Sequence, residues 1–193
     1  MGSGKSSVGR ELPALLALPG GPFDFIDLDE YIVGSEGMSV NEIFALKGED
    51  GFRSIERKCL ETLLERYEDR NLVLALGGGT AVYNSELVRS HTRCIYLSAS
   101  VDTLVKRLAC DTSRPLLAGP SSDAAGSSEL SHINITAGVH RNSLTESREE
   151  ALRSRIEKLF TSREPIYLQT AHHTIPTDGL TIAAVAALIA GLF

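Results

Sequence analysis

Apolar and polar residues alternate along this chain in blocks that predict short strands separated by helices. Phe23 to Asp27 (FDFID) reads as a short strand, and Leu72 to Leu76 (LVLAL) as a buried strand that ends on Gly77-Gly78-Gly79. Cys94 to Leu97 (CIYL) predicts a third strand and His173 to Pro176 a short fourth. Ser39-Val40-Asn41-Glu42 carries the Ser and Glu of a capping box, so a helix is predicted to start there. From Phe52 to Tyr67, the residues Phe52, Ile55, Cys59, Leu60, Leu63 and Leu64 recur at helical spacing with charges opposite them. Val101 to Ala109 and Thr181 to Leu192 predict two further helices. Gly119 to Ser147 is rich in Ser, Ala, Gly and Asn and weakly periodic, which predicts a surface loop or insertion. Strand alternating with helix argues an α/β fold around a parallel sheet, and 193 residues suit one domain.

The first residues carry the strongest chemical signal. Gly2-Ser3-Gly4-Lys5-Ser6 is the second half of a P-loop, G-x-x-x-x-G-K-[ST]. Glycines there let backbone N–H groups wrap closely around phosphate oxygens, and the helix that follows points its positive end at the same anion. Lys5 is placed to reach the β- and γ-phosphates, and the Ser6 hydroxyl to bind Mg²⁺. A Gly-Ser-rich start is also what a cloning remnant looks like, so the downstream residues decide between the two. The first glycine of the pattern would fall ahead of Met1, and so would the strand that feeds the loop. In P-loop folds that strand is central, and burying its side chains is a large share of a total stability of about 5–15 kcal/mol. The expectation is therefore that Met1 is an internal methionine of a longer natural chain.

Composition narrows the partners. Apolar residues make up 42% and charged residues 23%, with a net charge of −6. Such a surface repels nucleic acid and anionic membrane, so an anionic ligand needs a local cluster of Arg and Lys. Three cysteines, Cys59, Cys94 and Cys110, lack metal-ligand spacing and a disulfide partner count. No apolar signal segment opens the sequence, and the apolar run from Ile182 to Phe193 is too short for a bilayer. A reduced cytoplasm is the expected location.

Three further groups could complete a site. Asp27-Leu28-Asp29 follows the first visible strand, and alternation along an extended segment would turn both carboxylates the same way. One could hold Mg²⁺ or its waters and the other accept the proton of an attacking hydroxyl. A solvated turn or helix cap is the competing reading. Gly77-Gly78-Gly79 could admit close backbone approach to a ligand at the carboxyl end of the sheet, or form only a tight turn. Arg53, Arg107, Arg114 and Arg163 are candidate anion readers, because a guanidinium suits bidentate carboxylate or phosphate contact; each alone could be a surface charge. Adjacent His172 and His173 would point to opposite faces of a strand, which disfavours a metal pair.

In order and spacing these motifs resemble shikimate kinases. The matching residues are Met1 to Ser6, Phe25 to Asp29, Gly37-Met38-Ser39 with Glu42-Ile43-Phe44, Phe52-Arg53 to Glu56, Gly77 to Gly79, Arg114-Pro115-Leu116-Leu117, Arg163-Glu164-Pro165-Ile166-Tyr167 and Thr177 to Leu180. The resemblance implies a P-loop kinase three-layer fold of five parallel strands in order 2-3-1-4-5, with strand 1 missing or truncated here. It implies one domain over 1–193, with a lid and insertion over about 109–150. Gly2, Ser3, Gly4, Lys5, Ser6 and Ser7 would bind ATP, with Arg107 against the adenine and Arg114 closing from the lid. Ser6 and Asp27 would serve Mg²⁺. Asp29 would hold and deprotonate the attacking hydroxyl, Arg53 and Arg163 would clamp the carboxylate, and Gly77, Gly78 and Gly79 would line the shikimate pocket. Lys5, Asp29 and Arg114 would be the catalytic set. The resemblance thus implies a monomer with ATP and shikimate as its small-molecule partners. A gluconate-type kinase, a nucleoside monophosphate kinase and a non-catalytic nucleotide-binding protein are the competing readings.

Overall fold

The computed structural model describes residues 2–16, 21–109 and 140–193, with side chains from 2–16, 21–108 and 150–193. Arg114, Cys110 and most of the segment from Gly119 to Ser147 lie outside the described residues.

All four expected strands form, each within a residue or so of its sequence boundary. They are β1 (Asp24–Asp27), β2 (Leu72–Ala75), β3 (Ile95–Ser98) and β4 (His173–Pro176). β1 pairs in parallel with β2, from Asp24 opposite Leu72 to Asp27 opposite Ala75. β3 pairs in parallel with β4, from Ile95 opposite His173 to Ser98 opposite Pro176. These are the neighbours 2-3 and 4-5 of the expected order. The expected single central sheet is, among the described residues, two separate two-stranded sheets.

The helices cover both faces of these pairs. α1 (Lys5–Glu11) opens the fold and runs into a short 3₁₀ turn, Leu12–Ala14. α1 packs close to β1 through Gly9, where a Cβ would lie 2.5 Å from the Phe25 ring. α2 (Leu28–Glu36) follows β1 without a linker, and its Leu28 and Ile32 are fully buried. Their i, i+4 spacing turns both onto one face. α3 (Val40–Arg66) starts at the expected capping box, with Ser39 and Glu42 satisfying each other's backbone N–H groups. It breaks at Gly48, whose φ of 68° a side chain would resist. The amphipathic stretch from Phe52 lies beyond that break and buries Phe52, Cys59, Leu60 and Leu63 against α2 and Val88. α4 (Thr80–Tyr83) and α5 (Ser85–His91) fill the link from β2 to β3.

The remaining helices cover the β3–β4 pair. α6 (Val101–Ala109) and α8 (Ile182–Ala190) match their expected spans, and Thr181 caps α8 by accepting from the Ala184 N–H. α7 (His140–Thr170) corrects the loop expected through Ser147: from His140 onward the chain is helical. Leu152, Ile156 and Phe160 form its apolar stripe against Leu104, Val105 and Leu108 of α6.

Leu28 is wholly buried at the junction of β1 and α2, the turn that delivers Asp27 and Asp29. Leu28→Ala is expected to cost about 2–5 kcal/mol in urea unfolding. A loss below about 1 kcal/mol would contradict the packing of that junction.

Candidate active site

The amino end of the chain forms a cradle by backbone conformation. Gly2 and Gly4 both adopt positive φ, 73° and 90°, and α1 begins at Lys5. Gly2 to Ser7 line a cavity of about 340 Å³ together with Arg107, Thr177 and Leu180. Arg107 donates from Nη1 to the Gly2 carbonyl at 3.1 Å and from Nη2 to the Thr177 carbonyl at 3.2 Å. Buried Thr177 in turn donates to the Ser98 carbonyl, so the ends of β3 and β4 are tied to the glycine loop through one guanidinium. Asp178 steadies the same corner by accepting from the Ser100 hydroxyl and N–H. Hydrogen bonds from Thr103 and Ser100 hold its carboxyl below the usual range.

The two aspartates of Asp27-Leu28-Asp29 sit differently from the expected extended alternation. β1 ends at Asp27, and Asp29 lies in the first turn of α2. Asp27 Oδ1 caps that helix, accepting from the Asp29 N–H at 3.0 Å and the Glu30 N–H at 3.5 Å. Its Oδ2 accepts from the Ser6 hydroxyl at 2.5 Å. The helix-cap reading and the loop-side reading therefore describe the two oxygens of one carboxylate. Among the described residues no group of three His, Cys, Asp or Glu could hold a metal. The Ser6–Asp27 pair offers hard oxygen donors, suited to a small divalent cation that keeps water or phosphate oxygens as its other ligands.

Gly77, Gly78 and Gly79 each lie against a different charged or polar side chain. A Cβ on Gly77 would lie 3.2 Å from Asp29 Oδ1. On Gly78 it would lie 3.1 Å from the Tyr167 hydroxyl and 3.9 Å from Arg163 Nη1. On Gly79 it would lie 2.5 to 2.7 Å from the Arg53 guanidinium, where no side chain fits. The glycines are thus a contact surface as well as a turn. They bring together Asp29 from α2, Arg53 from α3 and Arg163 from α7.

Arg53 is held by a buried network. Its Nη1 donates to Glu56 Oε2 at 2.8 Å, one helical turn on, and Nη2 reaches Glu49 at 3.4 Å. Glu56 is 1% exposed, and its other oxygen accepts from the fully buried Thr80 hydroxyl at 2.6 Å. The guanidinium also lies 4.6 Å above the Tyr83 ring and 5.1 Å from that of Phe52. Burial works against its charge, but the hydrogen bond and charge of Glu56, with Glu49, outweigh it and leave the pKa raised. Arg53 therefore stays cationic. Its Nε is buried without a hydrogen-bond partner among the described residues.

Arg163 stands one turn before Tyr167 on α7, and the Tyr167 hydroxyl donates to the Gly78 carbonyl at 2.8 Å. Burial pushes the Tyr167 phenol up, against the opposing effect of Arg163, so it remains a donor. Lys5, Ser3, Gly77, Gly78 and Tyr167 line one shared cavity of about 610 Å³, which joins the glycine loop to the triple-glycine turn.

Lys5, Asp29, Arg53 and Arg163 thus border one region, and Ser6 meets Asp27. Gly2, Ser3, Gly4, Ser7 and Arg107 line the neighbouring loop cavity. Arg114 lies outside the described residues. Glu56 and Tyr167 were visible in the sequence only as parts of motifs. The i, i+3 spacing of Arg53 and Glu56 was the available signal for the first; no local signal pointed Tyr167 at Gly78.

Comparison with known proteins places this geometry. The family model described as shikimate kinase matches residues 1–191. A shikimate kinase of Chlorobaculum tepidum is 40% identical, the match covering 95% of this chain and 81% of that protein. One from Francisella tularensis subsp. holarctica is 32% identical over 94% of this chain and 84% of that protein. The structure of shikimate kinase from Acinetobacter baumannii in complex with shikimate superposes with a TM-score of 0.70 at 29% identity, covering all of this chain and 85% of that one. That of the Bacteroides thetaiotaomicron shikimate kinase gives 0.72 at 26% identity, covering all of this chain and 93% of that one. A fold, a phosphate loop and a carboxylate-and-guanidinium cluster that agree with these relatives along nearly the whole chain make this protein a member of the shikimate kinase family, ATP-dependent kinases that act on a hydroxyl group.

Proposed function

We propose that this chain transfers the γ-phosphate of ATP to the 3-hydroxyl of shikimate, giving shikimate 3-phosphate for chorismate and aromatic amino acid biosynthesis. The observation that carries the reading is the convergence of Asp29, Arg53 and Arg163 on three consecutive glycines beside Lys5. Two guanidiniums beside one carboxylate suit a hydroxylated acid: the cations read its carboxylate bidentately, and the carboxylate takes a hydroxyl.

The residue roles follow from position. The loop of Gly2 to Ser7 cradles the phosphates, with Lys5 reaching the β- and γ-phosphates and Arg107 bordering the nucleotide cavity. Ser6 and Asp27 would hold magnesium, whose charge neutralises phosphate oxygens when bound. Arg53 and Arg163 fix the acid ring, and Asp29 accepts the proton of the attacking hydroxyl. The hydroxyl oxygen bonds to the γ-phosphorus as the bond to the β-phosphate oxygen breaks in line, and ADP leaves. Lys5 stabilises the charge that spreads over the transferring oxygens, joined by Arg114 from the lid. Closure of that lid keeps water from the phosphate.

The chain acts as a single domain and a monomer in the cytoplasm. Its net charge of −6 disfavours nucleic acid and anionic membrane, and no helix among the described residues is long and apolar enough to cross a bilayer.

Coupled ADP release with shikimate, gluconate and AMP tests the assignment. Turnover is expected with shikimate alone; turnover with another acceptor, or silence on all three, contradicts it. Arg53→Ala is expected to raise KM for shikimate about 30-fold or more with KM for ATP nearly unchanged. Equal loss for both substrates would refute its role as carboxylate clamp. Asp29→Asn is expected to lower kcat about 100-fold or more, and an unchanged kcat would remove Asp29 as base.

A further inference from the structure

The two half-sheets present facing edges that no described strand pairs. β2 pairs only with β1, and β3 only with β4, among the described residues. Between them lies the cavity of about 610 Å³. Its walls include every residue from Leu72 to Leu76 and from Cys94 to Leu97. Successive side chains of a strand point to opposite faces, so a cavity on one face would touch alternate residues only. A wall made of consecutive residues therefore runs along the strand edge, where backbone N–H and C=O groups project.

Those edges define the chemistry of the occupant. Above and below, the gap is closed by apolar side chains, Val8, Leu12 and Ile189 among them on one side and Leu60 and Leu64 on the other. A compact apolar ligand would satisfy those faces but leave two rows of backbone polar groups buried and unpaired. A β-strand satisfies both: its two edges pair with β2 and β3, and its side chains fill the layers above and below. Such a strand is apolar on both faces, as strands buried inside parallel sheets are. Matching the four-residue strands beside it, it needs four to five residues, about 13–16 Å at the rise of a strand.

Direction and connection follow from the mouth of the gap. The carboxyl end of β2 leads to Gly77, and those of β3 and β4 lead to Ser98 and Thr177 beside Arg107 and the Gly2 carbonyl. Ser3 and Lys5 border the same cavity. A strand running parallel to its neighbours thus leaves the gap where the glycine loop begins. We propose that this gap is a strand-docking slot, filled in cis by an extended apolar segment joined ahead of Met1 and running directly into Gly2. It would unite the two half-sheets into one and fix the glycine loop at its amino end. The proposal stands on the sheet edges and the cavity, independently of the phosphoryl-transfer reading.

The test compares residues 1–193 with two extended forms, one carrying five apolar β-branched residues ahead of Met1 and one carrying a polar segment of equal length. Amide hydrogen exchange at Leu72–Ala75 and Ile95–Ser98 and the thermal midpoint are the readouts, neither of which needs catalysis. The apolar extension is expected to slow exchange of slot-facing amides about 10-fold or more and to raise Tm by about 10 °C or more. The polar extension is expected to match residues 1–193 in both. Equal behaviour of the two extensions overturns the proposal. So does failure of the apolar form to fold, or slot-facing amides already protected in residues 1–193. Equal protection by the same apolar peptide added free would overturn the assignment in cis.

Discussion

The site depends on one close approach, the Arg53 guanidinium against the backbone of Gly79. There is no room between them for a methyl group. That contact needs a glycine on β2's exit, an arginine early in the long helix, and something to hold the cation in place. Glu56 provides the last, hydrogen-bonded to Arg53 on one oxygen and to Thr80 on the other. Thr80 starts the turn that follows the glycines, so the network ties α3 to the very segment the guanidinium presses on. A buried charge pair adds little net stability, but losing one partner strands the other, at about 3–5 kcal/mol. The arrangement is better understood as positioning than as stabilisation.

Around this contact the two ends of the cleft are built by different means. On the acid side, three helices each deliver one charged side chain to a backbone surface that carries none. On the phosphate side, positive-φ glycines shape a loop, and Arg107 locks it to Thr177. Asp27 joins the two, since one of its oxygens caps α2, which carries Asp29, while the other meets Ser6 of the loop. A carboxylate so committed sets the relative position of loop and base.

Much of this was legible from residue order alone. The four strands, the capping box at Ser39 and the helix that carries Arg53 follow directly from pattern and cap chemistry. α2 was missed because its nine residues hold only Leu28 and Ile32 as a buried pair, too short a period beside an acidic run. α7 was missed for another reason: its stripe of Leu152, Ile156 and Phe160 is present, but charged residues dominate the segment and its start lies in a Ser-rich stretch. The glycine triplet announced a close approach without naming the partner. Which side chains meet Gly77, Gly78 and Gly79 depends on contacts across dozens of residues, and local periodicity holds no information on those. The split of the sheet follows the expectation drawn from the incomplete P-loop pattern, and only coordinates reveal the gap between the halves.

The central claim is that Arg53 and Arg163 jointly read the acid while Arg107 serves the nucleotide side. Arginine Nε–H resonances, assigned by Arg→Lys substitution and followed by NMR during titration with shikimate in the absence of nucleotide, measure this directly. Shifts at Arg53, whose Nε is buried without a described partner, and at Arg163, with Arg107 unmoved, are the predicted result. Saturating shikimate that leaves Arg53 and Arg163 unchanged, or that moves Arg107 in their place, would contradict it.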